Sequence, residues 1–235
     1  MDDLSALRQQ YQELLDRLQR NEREFRRLGR AVWRVQEDER RRLARELHDG
    51  VGQNLTALKH RLAAIAQSLP ADDPLRAELD GAIGLCGDTL EDTRHLSRLL
   101  RPPILDDLGL DAAVRALARS LAQASGLDIG VDIPPLPPLD SDLQTLVFRV
   151  AQEALSNAVR HAQASSVLVR IVASGGLLQL QVADDGRVCD PDAALTSGGS
   201  GLCGMRERLR LYDGRLELRS APGEVTRVRA VVRLG

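Results

Sequence analysis

Three polar residues with close spacing are the first pattern in this chain that could carry out chemistry. His48 is followed directly by Asp49 and, a turn later, by Gln53. In an α-helix, at about 100° per residue, these side chains share one polar face. A carboxylate beside an exposed imidazole can hold the ring in one tautomer and accept its proton while the ring attacks phosphorus. The pattern therefore predicts a histidine suited to accepting a phosphoryl group.

The neighbours of this trio support the same interpretation. Arg41 and Arg45 are predicted on the same face, where guanidinium groups can steer or neutralise phosphate. Gly52 is predicted beside the histidine as an open surface that a second domain could approach. The alternative is a solvated helix face that contains one histidine by chance. That is our interpretation of His60 and His95, which lack such neighbours.

A second polar face lies on the helix predicted for residues 141–162. Glu153, Asn157, Arg160 and His161 follow one another opposite an apolar stripe. Carboxylate and amide oxygens, with a cation one turn later, suit a Mg²⁺–triphosphate that keeps part of its water shell. A solvated helix face has a similar composition, so these residues alone leave both interpretations open.

Two glycine-containing segments follow this helix. Asp184-Asp185-Gly186 ends a predicted strand, a pattern that is also common in tight turns. Residues 198–204 precede a predicted helix, where glycines let backbone N–H groups and the helix N-terminus face phosphate.

The elements that must position these residues form three segments, of which the first is residues 1–42. Its apolar residues alternate at spacings of three and four, the a/d pattern of a coiled coil. We predict a parallel dimer, with Asn21 fixing its register, in preference to one amphipathic helix packed on a globular domain. The seam consists of Leu4, Leu7, Tyr11, Leu14, Leu18, Asn21, Phe25, Leu28, Val32 and Val35.

The coiled-coil pattern changes phase after Val32. The next apolar residues are Leu43 and Leu47, and the step from Val32 to Leu43 amounts to a stutter of the heptad. Our hypothesis is that this stutter transmits an upstream signal as a small helix rotation. Unchanged activity after a deletion that moves the stutter would count against it.

Residues 43–103 are predicted to form a helical hairpin. Two runs of apolar residues at helical spacing flank a turn at 70–74, with Asp73 as an N-cap and Pro74 at the first helical position. Pro102–Pro103 stops the second helix. Two such hairpins from two chains would make a dimeric four-helix bundle.

Residues 104–235 change to the mixed pattern of an α/β domain. Ser141 and Gln144 predict a capping box at the start of its polar helix. Helices are predicted at about 108–125, 141–162 and 201–212, and strands near 127–133, 166–173, 176–183, 214–220 and 226–233.

Bulk composition excludes some classes of function. The net charge is -2 and aromatic residues make up 2% of the chain, so neither a basic excess nor stacking rings indicate nucleic-acid binding. No apolar run reaches the about 18 residues that span a bilayer, and no signal peptide is visible near Met1. We expect a cytoplasmic chain, or the cytoplasmic part of a sensor with an upstream membrane or sensor segment.

Residues 39–53 and 100–110 resemble the dimerisation and phosphotransfer domain of the NarX/DesK-like sensor histidine kinases. The resemblance rests on His-Asp-x-x-x-Gln after an Arg-rich lead-in, and on Leu-Arg-Pro-Pro-Ile-Leu-Asp-Asp-Leu-Gly-Leu. It implies that His48 is phosphorylated, that Asp49 is its general base, and that Gln53 orients the water that dephosphorylates a response regulator.

The C-terminal motifs resemble the α/β-sandwich ATPase domain of the histidine kinases, gyrase and Hsp90. This resemblance implies that ATP and Mg²⁺ bind, with Asn157 as the Mg²⁺ ligand, Glu153 as the nearby carboxylate and Asp184 as the acceptor for the adenine amino group. Arg160 and His161 would contact phosphate. The nucleotide-binding residues would also include Gly186, Gly199, Gly201, Leu202 and Thr226.

Two positions depart from the family pattern. Val188 and Val225 stand where the Asp-x-Gly-x-Gly and Gly-x-Gly-Thr boxes have glycine. If either position needs positive φ or close approach to nucleotide, a β-branched residue there costs about 1–3 kcal/mol. Weaker ATP binding or a differently shaped lid would then follow.

The resemblance covers about residues 38–235 and implies a homodimeric ATP:protein-histidine phosphotransferase. Its phosphoryl group would pass to the receiver domain of a response regulator, expected to carry a helix-turn-helix output domain. A regulatory scaffold or phosphatase with a degenerate nucleotide site is one alternative, which nucleotide titration tests. A gyrase-like or chaperone-like ATPase is another, and only the kinase would retain acid-labile phosphate.

Overall fold

The computed structural model of the chain describes residues 2–70, 72–187, 200–220 and 225–234. Contacts divide the chain into two compact units, Val35–Asp107 and Met1–Arg34 with Leu108–Gly235. We call the first the hairpin unit and the second the α/β unit. The predicted three-segment division, 1–42, 43–103 and 104–235, remains a prediction.

The chain begins with a long helix, α1 (Asp2–Arg45). Its apolar heptad residues from Tyr11 to Val35 are all at least 55% exposed in the single chain. An apolar stripe of this periodicity needs a partner to cover it, because isolated exposed side chains do not repeat at seam spacing.

A different face of α1 packs within the α/β unit. Trp33 is 6% exposed, and the guanidinium carbon of Arg208 lies 5.1 Å from the centroid of its ring. Ion pairs flank this contact at Arg26–Asp213, Arg30–Asp213 and Arg34–Asp142. The packed-helix arrangement, which the sequence disfavoured, is therefore present alongside the heptad seam. We call Arg26, Gly29, Arg30, Trp33 and Arg34 the docking face.

In the hairpin unit, α1 continues through a π-helical segment, π1 (Glu46–Gly52), into α2 (Gln53–Ser68). The chain returns as α3 (Pro74–Leu100), and a short helix, α4 (Pro103–Asp107), follows. These bounds agree with the predicted hairpin.

Side-chain hydrogen bonds fix the ends of this hairpin. Asp73 caps α3 by accepting a hydrogen bond from the backbone N–H of Leu75, as predicted. Near the other end of α3, the buried hydroxyl of Ser97 donates to the carbonyl of Ala44 at 3.0 Å. This bond ties α3 to α1 just before the π-helical segment.

The remainder of the α/β unit contains α5 (Gly109–Ser125), α6 (Ser141–Asn157) with its π-helical extension π2 (Ala158–Ala162), and α7 (Ser200–Leu211). The strands are β1 (Asp128–Asp132), β2 (Ser166–Ser174), β3 (Leu177–Asp184), β4 (Arg215–Arg219) and β5 (Thr226–Arg233). They form one sheet in the order β1-β2-β3-β5-β4, parallel only between β1 and β2.

The core lies between the helices and one face of this sheet. Alternate residues of β2 and β3 are buried, as expected for strands with one covered face. They meet the apolar stripe of α6, which includes Leu146, Phe148 and Leu155. The predicted fold class, a helical region followed by a two-layer α/β domain, is confirmed.

The start of α6 differs from the predicted capping box. Asp140, one residue before Ser141, is the N-cap, and its carboxylate accepts a hydrogen bond from the backbone N–H of Leu143 at 2.7 Å. Gln144 donates instead to the carbonyl of Leu139 at 2.9 Å. The extended backbone of Asp140 places a charged acceptor at the helix end, so a box from Ser141 does not form. None of the described helices is long and apolar enough to cross a membrane.

Candidate functional site

A widened helical turn carries two of the predicted residues. His48 and Asp49 lie in π1, and Gln53 begins α2; all three side chains are exposed. In a π-helix each N–H bonds five residues back, so each turn holds an extra residue and the spacing of an α-helical wheel no longer applies. The trio is accessible to a reaction partner, as predicted, on a backbone that the sequence did not predict.

The same widened turn explains why the prediction for Gly52 was wrong. Gly52 is buried, and a Cβ atom there would lie 3.5 Å from the carbonyl oxygen of Leu47 and 3.8 Å from Leu90 Cδ1. The extra residue in the turn rotates this glycine toward α3. Gly50, with nothing within 4 Å of an added Cβ, is the glycine that faces open space.

A cavity of about 350 Å³ lies on one side of His48. It is shared by Gln53, Thr56 and His60 of α2 and by Thr93 and Arg94 of α3. His60 was interpreted as an ordinary surface residue, and the structure places it in the same cavity as His48. Its spacing after Gln53 and Thr56 was the available signal, since residues three or four apart share a helix face.

A second cavity, of about 310 Å³, is also lined by His48. Its lining has three arginines and three aspartates, together with His48, Ala44 and Pro103. The charged residues are Arg41, Arg45, Arg101, Asp49, Asp106 and Asp107. We call this the arginine cavity.

A chain of ion pairs joins α1 to the segment after α3 at this cavity. The side chain of Arg101 is 6% exposed, and its Nη2 lies 2.8 Å from Asp106 Oδ1 and its Nη1 3.6 Å from Glu37 Oε2. Arg41 Nε lies 2.9 Å from the other oxygen of Asp106. Sequence reasoning missed Arg101, Asp106 and Glu37, because ion-pair partners far apart in the chain leave no periodic signal.

In the α/β unit, a glycine lies against the polar face of α6. Glu153 and Asn157 are half-buried, and a Cβ atom on Gly201 would overlap Glu153 Oε1 and lie 3.5 Å from Asn157 Nδ2. The structure thus brings Gly201 of the second glycine segment against Glu153 and Asn157 of the polar helix, two motifs that the sequence analysis treated separately. A side chain at residue 201 would require the carboxylate of Glu153 to move from its position beside Asn157.

Another glycine, Gly186, lies just after β3 and packs against the end of π2, the extension of α6. A Cβ atom on Gly186 would lie 2.7 Å from Ala162 Cβ and even closer to the Ala162 carbonyl oxygen. That oxygen accepts a hydrogen bond from the backbone N–H of Arg187 at 2.7 Å. Asp184 and Asn157 are therefore positioned by directly contacting elements.

Asp184 is 7% exposed and lies beside Thr226 on the neighbouring strand. Burial raises the pKa of its carboxyl group; the hydrogen bond from the Gly186 N–H, at 3.1 Å, acts in the opposite direction. Thr226 is also buried, and its hydroxyl lies 2.8 Å from that of Ser220. A buried acceptor at a strand end can recognise an amino group through a directed hydrogen bond.

Asp185, which the sequence assigned no role, organises the same edge. It accepts hydrogen bonds from the backbone N–H groups of Ser165 and Ser166 at 2.7 and 2.9 Å. Both bonds lower the pKa of the Asp185 carboxyl group, and the bond from Ser166 has the larger effect. Adjacent aspartates therefore have pKa values shifted in opposite directions.

The remaining predicted residues are distributed around this region. Arg160 and His161 are exposed on π2, directly beyond Asn157, and Leu202 is half-buried in α7. Gly199 and Val188 lie outside the described residues. Val225 is 44% exposed, and positive φ among the described non-glycine residues occurs only at Gln163 and Asp213.

The residues at the end of α6 fit Mg²⁺ bound through nucleotide. The described residues contain no group of three or more His, Cys, Asp or Glu side chains able to hold a metal ion alone. The amide of Asn157 and the carboxylate of Glu153 supply hard oxygen donors, while Mg²⁺ commonly takes its other ligands from phosphates and water.

Comparisons with known proteins identify families that match both parts of the chain. A family described as "Histidine kinase" matches residues 39–105, and one described as "Histidine kinase-, DNA gyrase B-, and HSP90-like ATPase" matches residues 142–235. The sensor histidine kinase MctS of Rhizobium johnstonii is 34% identical over 203 residues, covering 85% of this chain and 44% of that protein. Sensor histidine kinase ComP of Bacillus subtilis is 33% identical over 204 residues, covering 84% and 26%.

This chain therefore spans less than half the length of either of these two relatives. Among solved structures, the histidine kinase domain of the blue-light activated histidine kinase EL346 from Erythrobacter litoralis is similar, with a TM-score of 0.52 and 19% identity. The match covers 77% of this chain and 94% of that one, and it shows a shared fold.

Proposed function

This chain belongs to the NarX/DesK-like sensor histidine kinases, and we propose that it phosphorylates its own His48 from Mg-ATP. The observation that carries the proposal is the contact of Gly201 with Glu153 beside Asn157. It joins the motifs expected to bind nucleotide, in a chain that also exposes His48 beside Asp49.

At the phosphoacceptor, one nitrogen of the His48 ring attacks the γ-phosphorus while the bond from that phosphorus to the ADP oxygen breaks. Asp49 accepts the proton that the ring loses. Exposure of both side chains on π1 supports this assignment, since the nucleophile must meet a separate donor site. Catalysis then rests mainly on positioning and charge neutralisation, as in other phosphoryl transfers.

In the nucleotide site, Asp184 accepts a hydrogen bond from the adenine amino group, and Thr226 lies beside it. Asn157 would be the Mg²⁺ ligand, with Glu153 as the nearby carboxylate, while Arg160 and His161 would contact phosphate. The bound Mg²⁺ supplies positive charge that offsets the charge of the phosphates. The glycine segment that the sequence assigned to phosphate, with Gly199, Gly201 and Leu202, would provide backbone N–H groups for phosphate.

We further propose a homodimer. The exposed heptad residues of α1 and exposed apolar residues of the hairpin, including Leu58, Ile65, Leu85 and Leu96, provide surface for a second copy. Leu28→Asp, in the seam, should shift the sedimentation coefficient to that of a monomer at micromolar concentration. Arg27→Asp, its exposed neighbour, should leave the dimer intact; dissociation of both variants, or of neither, would contradict this seam.

The phosphoryl group passes in the cytoplasm from His48 to an aspartate in the receiver domain of a response regulator. By analogy with the family, that regulator carries a helix-turn-helix output domain. Gln53 orients the water that dephosphorylates that aspartate. Its position in the same cavity as His48 supports this role, because the attacking water must lie where the phosphoryl group is transferred.

Autophosphorylation with γ-labelled ATP and Mg²⁺ tests the proposal. The dimer should gain acid-labile, base-stable label, and both His48→Gln and Asn157→Ala should abolish it. Label that persists in His48→Gln would place the phosphoacceptor elsewhere. A folded, dimeric wild type that binds millimolar ATP without label would contradict the kinase, and absence of ATP binding would favour a scaffold with a degenerate site.

A further inference from the structure

The three guanidinium groups of the arginine cavity differ in how they are engaged. Arg101 is buried and shared between Asp106 and Glu37. Arg41 is 41% exposed and reaches only the second oxygen of Asp106. Arg45 is exposed, donates to the backbone carbonyl of Arg41 at 3.4 Å, and pairs with no carboxylate among the described residues.

We propose that the arginine cavity is the site that holds the phosphoryl group after its transfer to His48, with Arg45 as its first ligand and Asp106 as the competitor for Arg41. This inference rests on the kinase function proposed above. It assigns a binding role to the arginine cavity, which is distinct from the cavity that His48 shares with Gln53.

Charge and exposure determine how the competition proceeds. A phosphorylated side chain carries about -1.5 to -2 charge and three acceptor oxygens, against one negative charge on a carboxylate. Arg41 can turn toward it, because its side chain is partly solvated and makes a single contact with Asp106. Arg101 keeps Asp106 in place through its buried contacts, so the segment after α3 stays attached while Arg41 is exchanged.

Arg42 provides a matched control for Arg45. The two arginines lie one turn apart on α1, and both are exposed. Arg42 is held by Glu39 and Glu46 at 2.5 and 3.0 Å and does not line the arginine cavity. Removal of Arg42 therefore takes away the same charge without removing a phosphoryl ligand.

The test phosphorylates the full-length chain with phosphoramidate, which needs no nucleotide site. The P–N bond of phosphoramidate breaks, the ring nitrogen of His48 bonds to phosphorus, and ammonia leaves with the ring proton as ammonium. Phosphorus NMR then follows the pH titration of the phosphoryl group, with His48→Gln identifying its resonance. The other charged or titratable groups that line the two cavities with His48 are Asp49, Asp107, His60 and Arg94, and all four are kept in every variant compared.

A nearby cation favours the dianion, so removal of a cation raises the titration midpoint. We expect Arg45→Ala to raise it by about half a pH unit and Arg42→Ala to leave it in place. Asp106→Asn should lower it, because Arg41 becomes available and a negative charge is lost. Circular dichroism confirms that each variant is folded.

Equal midpoints for Arg45→Ala and Arg42→Ala, or a raised midpoint for Asp106→Asn, would overturn the proposal. So would failure of phosphoramidate to modify His48 in the folded chain, since an exposed imidazole beside unpaired cationic charge should react. A chain that titrates as expected here but gains no label from ATP would retain the phosphoryl site and lose the proposed kinase function.

Discussion

Gly201 lies so close to Glu153 that any side chain at residue 201 would overlap the glutamate carboxylate. The contact joins the first turn of α7 to the polar face of α6. The constraint on residue 201 is the position of the Glu153 carboxylate and not the backbone conformation, since Gly201 is absent from the described glycines with positive φ. Its neighbour along the helix, Gly204, has no such constraint.

We expect Gly201→Ala to weaken ATP binding by about tenfold, equivalent to about 1.4 kcal/mol, because Glu153 must move away from Asn157. In Gly204→Ala the new Cβ would meet only the end of the Arg208 side chain, at 3.1 Å, which can rotate away. Calorimetric titration with ATP and Mg²⁺ measures both variants. Similar losses in the two would show that the effect comes from α7 as a whole.

Asp49→Asn should lower the rate of autophosphorylation by about 10²-fold or more while the KM for ATP changes little. The amide keeps the shape of the side chain but does not accept the ring proton of His48. Initial rates with labelled ATP at several nucleotide concentrations separate the two constants. A variant with full rate and a raised KM would assign Asp49 to binding instead.

The two adjacent aspartates should respond oppositely to pH. Burial raises the pKa of Asp184 in the folded chain, so its stabilising contribution is present below the unfolded pKa and is lost as pH rises through the folded pKa. At pH 7 the charged carboxylate is therefore unfavourable. Asp184→Asn should raise the melting temperature at pH 7 while abolishing ATP binding, and the gain should shrink as the pH is lowered toward 4.

Asp185→Asn is the matched comparison. In the wild type, the lowered pKa of Asp185 stabilises the folded chain above the unfolded-state pKa, near 3.8. This stabilisation is lost as the pH falls through the folded-state pKa. The substitution should lower the melting temperature at pH 7 and have little effect at low pH. Thermal unfolding of both variants between about pH 2 and 7 checks the pair, and slopes of the same sign would contradict the assigned environments.

The docking face of α1 can be followed through Trp33, the sole tryptophan of the chain. Asp213→Arg should repel Arg26 and Arg30, loosen the contact, and make Trp33 emission red-shifted and more readily quenched by acrylamide. Arg23→Ala, an exposed position on the same helix, should change neither property. If Asp213→Arg leaves quenching unchanged, those ion pairs do not hold Trp33 in place.

Much of the site could be predicted because its parts are local in sequence. The polar face of α6 and the His48-Asp49-Gln53 trio each lie within a few helical turns, so residue type and spacing identify them. His60 was missed although its spacing after Gln53 was visible, because a lone histidine on a helix face usually has no chemical role. Arg101 and Asp106 could not be assigned, since their ion pairs depend on how α3 returns beside α1.

The amino-acid order by itself determined most of the secondary-structure elements. Periodic apolar residues predict the heptad seam of α1 and the alternation of β2 and β3. The backbone restrictions of proline predict the ends of the hairpin helices. Only the tertiary structure decided which faces meet. Trp33 packs under Arg208 on a face that the heptad pattern does not mark, and π1 turns Gly52 inward. Both outcomes depend on contacts between distant residues, and local propensity carries no information about those contacts.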